Sequence, residues 1–303
     1  MRFWAALLNV VTPLKLKGDV QCIRGCSQWK LRFSCSGVIE VATGNILEFS
    51  DSDASLWKFK RPTCIKIAGH GNVVRLSAAT DYLPPALEVG GVNNTVVIGK
   101  SFRPLAQKLA LFWFGTDNAL TIGDNVTFHN NPRIPELFDR ISMGGERCSV
   151  EIKEGSICGL NIISGIHNAC RDWHFSCGPH ACISGLVVQP NSACCVTIGK
   201  DSQVSWNVLI GCGSHAIIDS AGKCRNMCAG VEIGDKVWVG VGVVIPGTAK
   251  IPDGSIVGSN SVVTKCFERP RSVYAGVPAK CIKDGIDWRW EYPIMYQNGM
   301  LYD

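Results

Sequence analysis

Between residues 232 and 265 an aliphatic residue returns at every sixth position: Ile233, Val239, Ile245, Ile251, Val257 and Val263. A helix spaces its apolar residues by three and four and a half-buried strand by two, so neither accounts for a period of six. Four places after each of the first five stands a small or β-branched residue, namely Val237, Val243, Ala249, Ser255 and Ser261. The place just after each of those five aliphatics is Gly or Pro: Gly234, Gly240, Pro246, Pro252 and Gly258. Such a chain alternates for a few residues and then turns a corner, where Gly, Asn or Asp can take positive φ. Three sixes make one coil of a three-sided prism with the aliphatics stacked inside, the hexapeptide class of β-solenoid.

Upstream the repeat loosens but persists. An Asn follows a Gly-containing turn and precedes an aliphatic or aromatic by four residues in Asn45 to Phe49, Asn72 to Leu76, Asn94 to Ile98 and Asn118 to Ile122. Coils of eighteen residues with small insertions produce this spacing. Ile152 continues the count, and Ile198, Val204 and Ile210 restore the sixes. The gaps at 129 to 146, 165 to 192 and 211 to 230 are expected to be loops projecting from corners, the usual place for function on a rigid scaffold. Residues 1–36 lack the repeat and are expected to form an N-terminal cap, 37–266 the solenoid, and 267–303 a tail that includes Trp288, Trp290, Tyr292 and Tyr296.

Composition limits the function classes. The 303 residues carry a formal net charge of +5 with no long Lys/Arg run, which gives no footing for nucleic-acid binding. No segment approaches the ~20 apolar residues of a membrane span. The sixteen cysteines follow an N-terminus without a clear cleavage site, so the expectation is a reduced, cytoplasmic protein whose cysteines act mostly as small core hydrophobes.

The stretch Ile233-Gly-Asp-Lys-Val-Trp-Val-Gly240, followed by Ser261-Val-Val-Thr-Lys265 and Ala275-Gly-Val-Pro-Ala-Lys280, resembles the left-handed β-helix O-acetyltransferases that act on maltose, galactosides, Nod factors and surface polysaccharides. The resemblance is strong over about 198 to 290 and only architectural upstream. It implies a left-handed parallel β-helix, acetyl-CoA as acyl donor, a sugar or polysaccharide acceptor and a homotrimer with CoA between neighbouring prisms. It carries the catalytic base onto His215, in the loop GCGSHAIID, where an imidazole can take a hydroxyl proton near neutral pH. It also implies Trp238 beside the acceptor and thioester, Asn207 near the acceptor, Gly240 and Val241 along the pantetheine arm, Ser259, Thr264 and Lys265 further on, and Lys280 and Lys283 near the phosphates. Asp219 either orients the imidazole or closes its loop. Lys280 stands where relatives often have Arg, and Cys266 and Arg269 depart from the usual pattern.

Two rival constellations stand beside this one. His167, Cys170, His174, Cys177, His180 and Cys182 form a mixed cluster in the sequence, but the spacing fits no zinc pattern, so no metal is expected. Cys212, three residues before His215, offers a thiol for a covalent acyl-enzyme. The same scaffold carries γ-class carbonic anhydrases, which are zinc enzymes, and non-catalytic assembly proteins, and a small-molecule alcohol such as an antibiotic is the alternative acceptor. The residues leave the acceptor's identity open. Circular dichroism should give a β spectrum with little helix, and a helix-dominated spectrum would contradict the solenoid.

Overall fold

The computed structural model describes residues 15–19, 21, 23–24, 37–50, 63–77, 84–104, 109–128, 140–163, 170–212, 216–225 and 229–290. Among the described residues every pairing of strands but one is parallel, and that one is the hairpin of Val273–Gly276 with Ala279–Lys283. The described residues contain no helix, and none that could cross a membrane.

One turn shows the plan. Cys195–Ile198, Gln203–Val204 and Val208–Gly211 follow one another along the chain but sit in three separate ladders. The first pairs onward with Val231–Ile233 and then Ala249–Ile251, the second with Trp238–Val239 and then Ile256–Val257, and the third with Val244–Ile245. These ladders are the three faces of a prism, called here the carboxyl-side face (through Ala249–Ile251), the tryptophan face (through Trp238–Val239) and the valine face (through Val244–Ile245). Ile157–Ile163 and Cys182–Gln189 run around the corner between the tryptophan and valine faces, with a register shift between Cys158 and Leu160.

Residues that alternate inward fill one continuous core from Ile39 to Ala279. The hexad aliphatics lie at its centre: Ile233, Val239, Ile245, Ile251, Val257 and Val263 are all buried. Consecutive coils are offset by 27, 22, 24, 30, 25, 21, 35 and 18 residues along the chain. Only the last is the bare three-hexad coil, and the longer ones carry insertions at corners.

The corner between the valine and carboxyl-side faces explains the recurring Asn. Asn45, Asn72, Asn94 and Asn118 point inward and are buried. Asn94 Nδ2 donates to Asn72 Oδ1 at 3.0 Å and to the carbonyls of Gly90 and Gly115 at 2.8 and 3.0 Å, while Asn94 Oδ1 accepts the Asn118 amide at 3.0 Å. Each side chain thereby satisfies backbone groups that the tight turn takes out of the sheet ladder. The ladder ends on the Cys148 amide, held by Asn118 Oδ1 at 2.8 Å. Gly91 shows why the turn admits no side chain: at φ +86, a Cβ there would lie 2.0 Å from the Gly115 carbonyl oxygen.

The structure corrects two expectations. Residues 170–192, expected as a loop, form a regular coil through His174–Cys177 and Cys182–Gln189. Its inward positions are Trp173, Phe175, Cys177, Ala181 and Ile183, so aromatics and a thiol occupy places that the aliphatic template requires to be Ile or Val. Arg140–Met143 is likewise a strand within the expected gap at 129 to 146. Within 1–36, Lys15–Gly18 and Ile23–Arg24 already pair in the ladders with Gly37–Val41 and Ile46–Ser50. Trp113 and Trp173 are fully buried, and their indole nitrogens lack a partner.

Asn94→Ala should cost about 3 kcal/mol, because it strands several buried carbonyl and amide groups at once. Urea unfolding tests this, and a loss below about 0.5 kcal/mol would show that the ladder is dispensable.

Candidate functional site

The 35-residue offset between Lys200 and Asp235 marks the largest insertion. It leaves the valine face after Val208–Gly211 and returns to the carboxyl-side face at Val231–Ile233, and its middle is a small hairpin. Ile218 and Cys224 form an antiparallel bridge, and Asp219 closes the tip. Asp219 Oδ1 accepts the amides of Ala221 and Lys223, both at 2.9 Å, and Arg225 pairs with Oδ2. The Lys223 amide, followed by the Ala221 amide and the Arg225 guanidinium, holds the carboxyl below its ordinary range. Both oxygens of Asp219 are thus engaged within the hairpin. Ile217 and Ile218 stand well exposed beside it. His215 lies outside the described residues.

Cys212 is fully buried in the core at the root of this loop. Its amide donates to the Gln189 carbonyl at 3.0 Å, and its carbonyl accepts from Asn191 Nδ2 at 3.3 Å. Its side chain is therefore a core element, with no open face toward a substrate.

A second group of residues converges at the corner between the tryptophan and valine faces. The Gly242 amide donates to Trp206 O at 3.0 Å, and the Asn260 amide to Val241 O at 2.8 Å. This stacks Trp206 and Asn207, Val241 and Gly242, and Ser259 and Asn260 in successive coils. Asn207 and Asn260 turn with φ 60 and 56. Gly240 is packed so tightly that a Cβ would meet the Ser259 amide at 2.7 Å and Val257 O at 2.8 Å. The result is a shallow corner with exposed polar groups at Asn207 and Ser259 and an exposed Val241. Trp238 projects outward on the adjoining face at 39% exposure, with Nε1 donating to the buried Ser205 Oγ at 3.2 Å.

Beyond the last full coil, Lys265 and Lys280 line a single cavity of about 430 Å³ together with Arg269, Phe267 and Tyr274. Phe267 and Tyr274 stack at 3.8 Å and form its floor. Three cations line it beside the carboxylate of Glu268, and Arg269 also pairs with Asp284 at 3.5 Å. Arg269, which departs from the family pattern in sequence, is one of them; its contribution is visible only once the hairpin folds back. Lys283 is exposed on that hairpin outside the cavity wall, and Thr264 is exposed next to Lys265.

The His/Cys stretch does not converge. Cys170 and Cys177 point into the core, whereas His174 points out and bonds Ser149 Oγ at 2.8 Å. His180 packs over Gly155 at a different corner, and His167 lies outside the described residues. Among the described residues no three metal-ligating side chains come together.

No family model matches the chain. The galactoside O-acetyltransferase of Escherichia coli K12 is 36% identical over 90 residues, covering 29% of this chain and 44% of that protein. WbbJ of the same organism, provisionally named a lipopolysaccharide biosynthesis O-acetyl transferase, is 36% identical over 99 residues, with 29% and 50% covered. The chain thus spans about half the length of these relatives or less. The crystal structure of the polySia specific acetyltransferase NeuO is similar at 18% identity and a TM-score of 0.48, over 95% of this chain and 99% of that one.

The Asp219 brace gives a pH test. A carboxyl with a depressed pKa stabilises the hairpin above the ordinary range of about 4, and that stabilisation is lost as pH falls through the lower folded value. Protection of the Ala221 and Lys223 amides from hydrogen exchange should fall in acid, and Asp219→Ala should remove it at neutral pH. Unchanged protection in the variant would refute the brace.

Proposed function

We propose that this chain, related in sequence to the hexapeptide-repeat O-acetyltransferases, moves an acetyl group from acetyl-CoA to a hydroxyl of a sugar or cell-surface polysaccharide. The observation that carries the reading is the corner formed by Asn207, Val241 and Ser259 together with the cation-lined cavity at Lys265, Arg269 and Lys280. A slot bordered by bare backbone at Gly240 suits a thin pantetheine arm, and the cavity suits its phosphates.

His215 is the general base. An alcohol is far too weak an acid to attack a thioester unaided, and an imidazole that removes its proton in the transition state contributes ~10² to 10⁴-fold. The hydroxyl oxygen bonds to the acetyl carbonyl carbon, backbone amides stabilise the resulting oxyanion, and the C–S bond breaks. The proton taken by His215 passes to the departing CoA thiolate. Burial of Cys212 supports direct transfer between two bound substrates over an acyl-cysteine route.

The site is shared between copies in a homotrimer. The loop bearing His215 leaves one edge of the valine face, and Asn207, Val241 and Ser259 lie at the opposite edge. A strand of four residues separates the root of that loop from the corner. Outward positions on that face run apolar and half-buried through Val187, Leu209, Val244 and Val262, in register coil to coil. A stripe of this kind on a surface strand favours contact with another copy. The cytoplasm supplies acetyl-CoA, and twelve cysteines among the described residues form no disulfide, in keeping with that compartment.

CoA release from acetyl-CoA in the presence of glycan acceptors measures the activity. His215→Ala should lower kcat by ~10² or more with CoA affinity nearly unchanged; kcat within a few-fold of wild type would remove His215 from the mechanism. Val241→Trp should block the corner. Refolding the two inactive variants together should restore about a quarter of wild-type activity through mixed trimers, and no recovery would refute a shared site.

A further inference from the structure

The chain beyond the terminal hairpin folds back across the tryptophan face. The Ile286 amide donates to Arg271 O at 2.8 Å, Arg271 Nε donates to Ile286 O at 3.2 Å, Lys236 Nζ pairs with Asp287 at 2.8 Å, and Trp288 Nε1 donates to Lys236 O at 2.7 Å. These bonds seat Trp288, only 6% exposed, against Trp238 with ring centroids 6.1 Å apart and planes tilted by 46°. Trp290 follows at 5.8 Å from Trp288, tilted by 53°. Trp288 is thus a buried ring in contact with two exposed indoles, Trp238 at 39% and Trp290 at 46%.

We propose that Trp238 and Trp290, propped by Trp288, form a binding platform for an extended glycan chain, so that the acceptor is an oligosaccharide or polysaccharide and not a single sugar or small-molecule alcohol. A pyranose presents a flat patch of C–H groups, which packs on the electron-rich face of an indole. The cavity beside the indoles, about 470 Å³, is walled by Asp235, Lys236, Asp253, Arg271 and Asp287. Its charges of both signs offer donors and acceptors to hydroxyls without a net field favouring a polyion. Aromatic faces beside charged groups suit a hydroxyl-rich chain. The platform ends at Trp238, one strand from the corner at Gly240 and Val241. It deepens the acetyltransferase reading and rests on it only for the direction in which the chain is fed.

The test separates binding from turnover. Full-length protein without acetyl-CoA is applied to an array of linear neutral, amino-sugar and sialic-acid glycans of increasing length from the monosaccharide upward, and hits are titrated by tryptophan fluorescence. Affinity should rise about 10-fold once a chain spans both exposed rings, the scale of one aromatic contact. Trp290→Ala should abolish that gain, and Trp290→Phe should restore most of it. Absence of any glycan binding, affinity independent of length, or an unchanged Trp290→Ala overturns the platform. Acetyl transfer is assayed in parallel: length-dependent binding without transfer removes the acetyltransferase reading and keeps the platform, and transfer without length dependence does the reverse.

Discussion

Along each ladder the inner strands are completed by the coil above and the coil below, and that lateral hydrogen-bond register is the interaction on which the rest depends. Because the ladders are parallel, each corner must bring the chain around without leaving buried amides and carbonyls unpaired. The chain meets this requirement with positive-φ residues at the turns and with the Asn45, Asn72, Asn94 and Asn118 ladder inside one of them. Ion pairs across the outer surface, such as Lys66 with Glu88 and Lys250 with Glu232, follow from the same register but are exposed and contribute little. The stability lies in the stacked core and the closed corners.

Register also explains why insertions sit at corners. An insertion there lengthens one coil without disturbing its neighbours, so the 35-residue offset can carry a hairpin while the strands flanking it stay in line with Val196 and Val244. Rigid coils in turn hold Asn207, Val241 and Ser259 in one column. The tail exploits the opposite end of the tryptophan face, where Lys236 and Arg271, two coils apart with Gly254 between them, offer their carbonyls to Trp288 and Ile286. Both features add side chains to a scaffold whose own outer surface is nearly flat.

Where the inward residue is Ile or Val, the coils are legible in the sequence. The spacing of Leu76, Ile98 and Ile122 matches their alignment in one ladder, and the Gly-to-Asn recurrence marks the Asn corner. The coil through Trp173, Phe175 and Cys177 was not legible, because those residues fill the same inward volume without the aliphatic signature. The site divides similarly. The column at Asn207, Gly240, Val241 and Ser259 follows from resemblance and holds together in space, whereas Arg269 joins Lys265 and Lys280 only through the folded hairpin. The seat of Trp288 on Lys236 joins residues more than two coils apart in sequence, and no local pattern announces it.

The central claim, that the corner between the tryptophan and valine faces is the CoA slot and is completed by a neighbouring copy, is tested most directly by a structure with CoA bound. The account predicts the pantetheine arm along Asn207, Val241 and Ser259, the phosphates at Lys265, Arg269 and Lys280, and the 212–230 loop of a second copy over the thiol. CoA bound along another corner, or a thiol reached by the loop of the same chain, would contradict it.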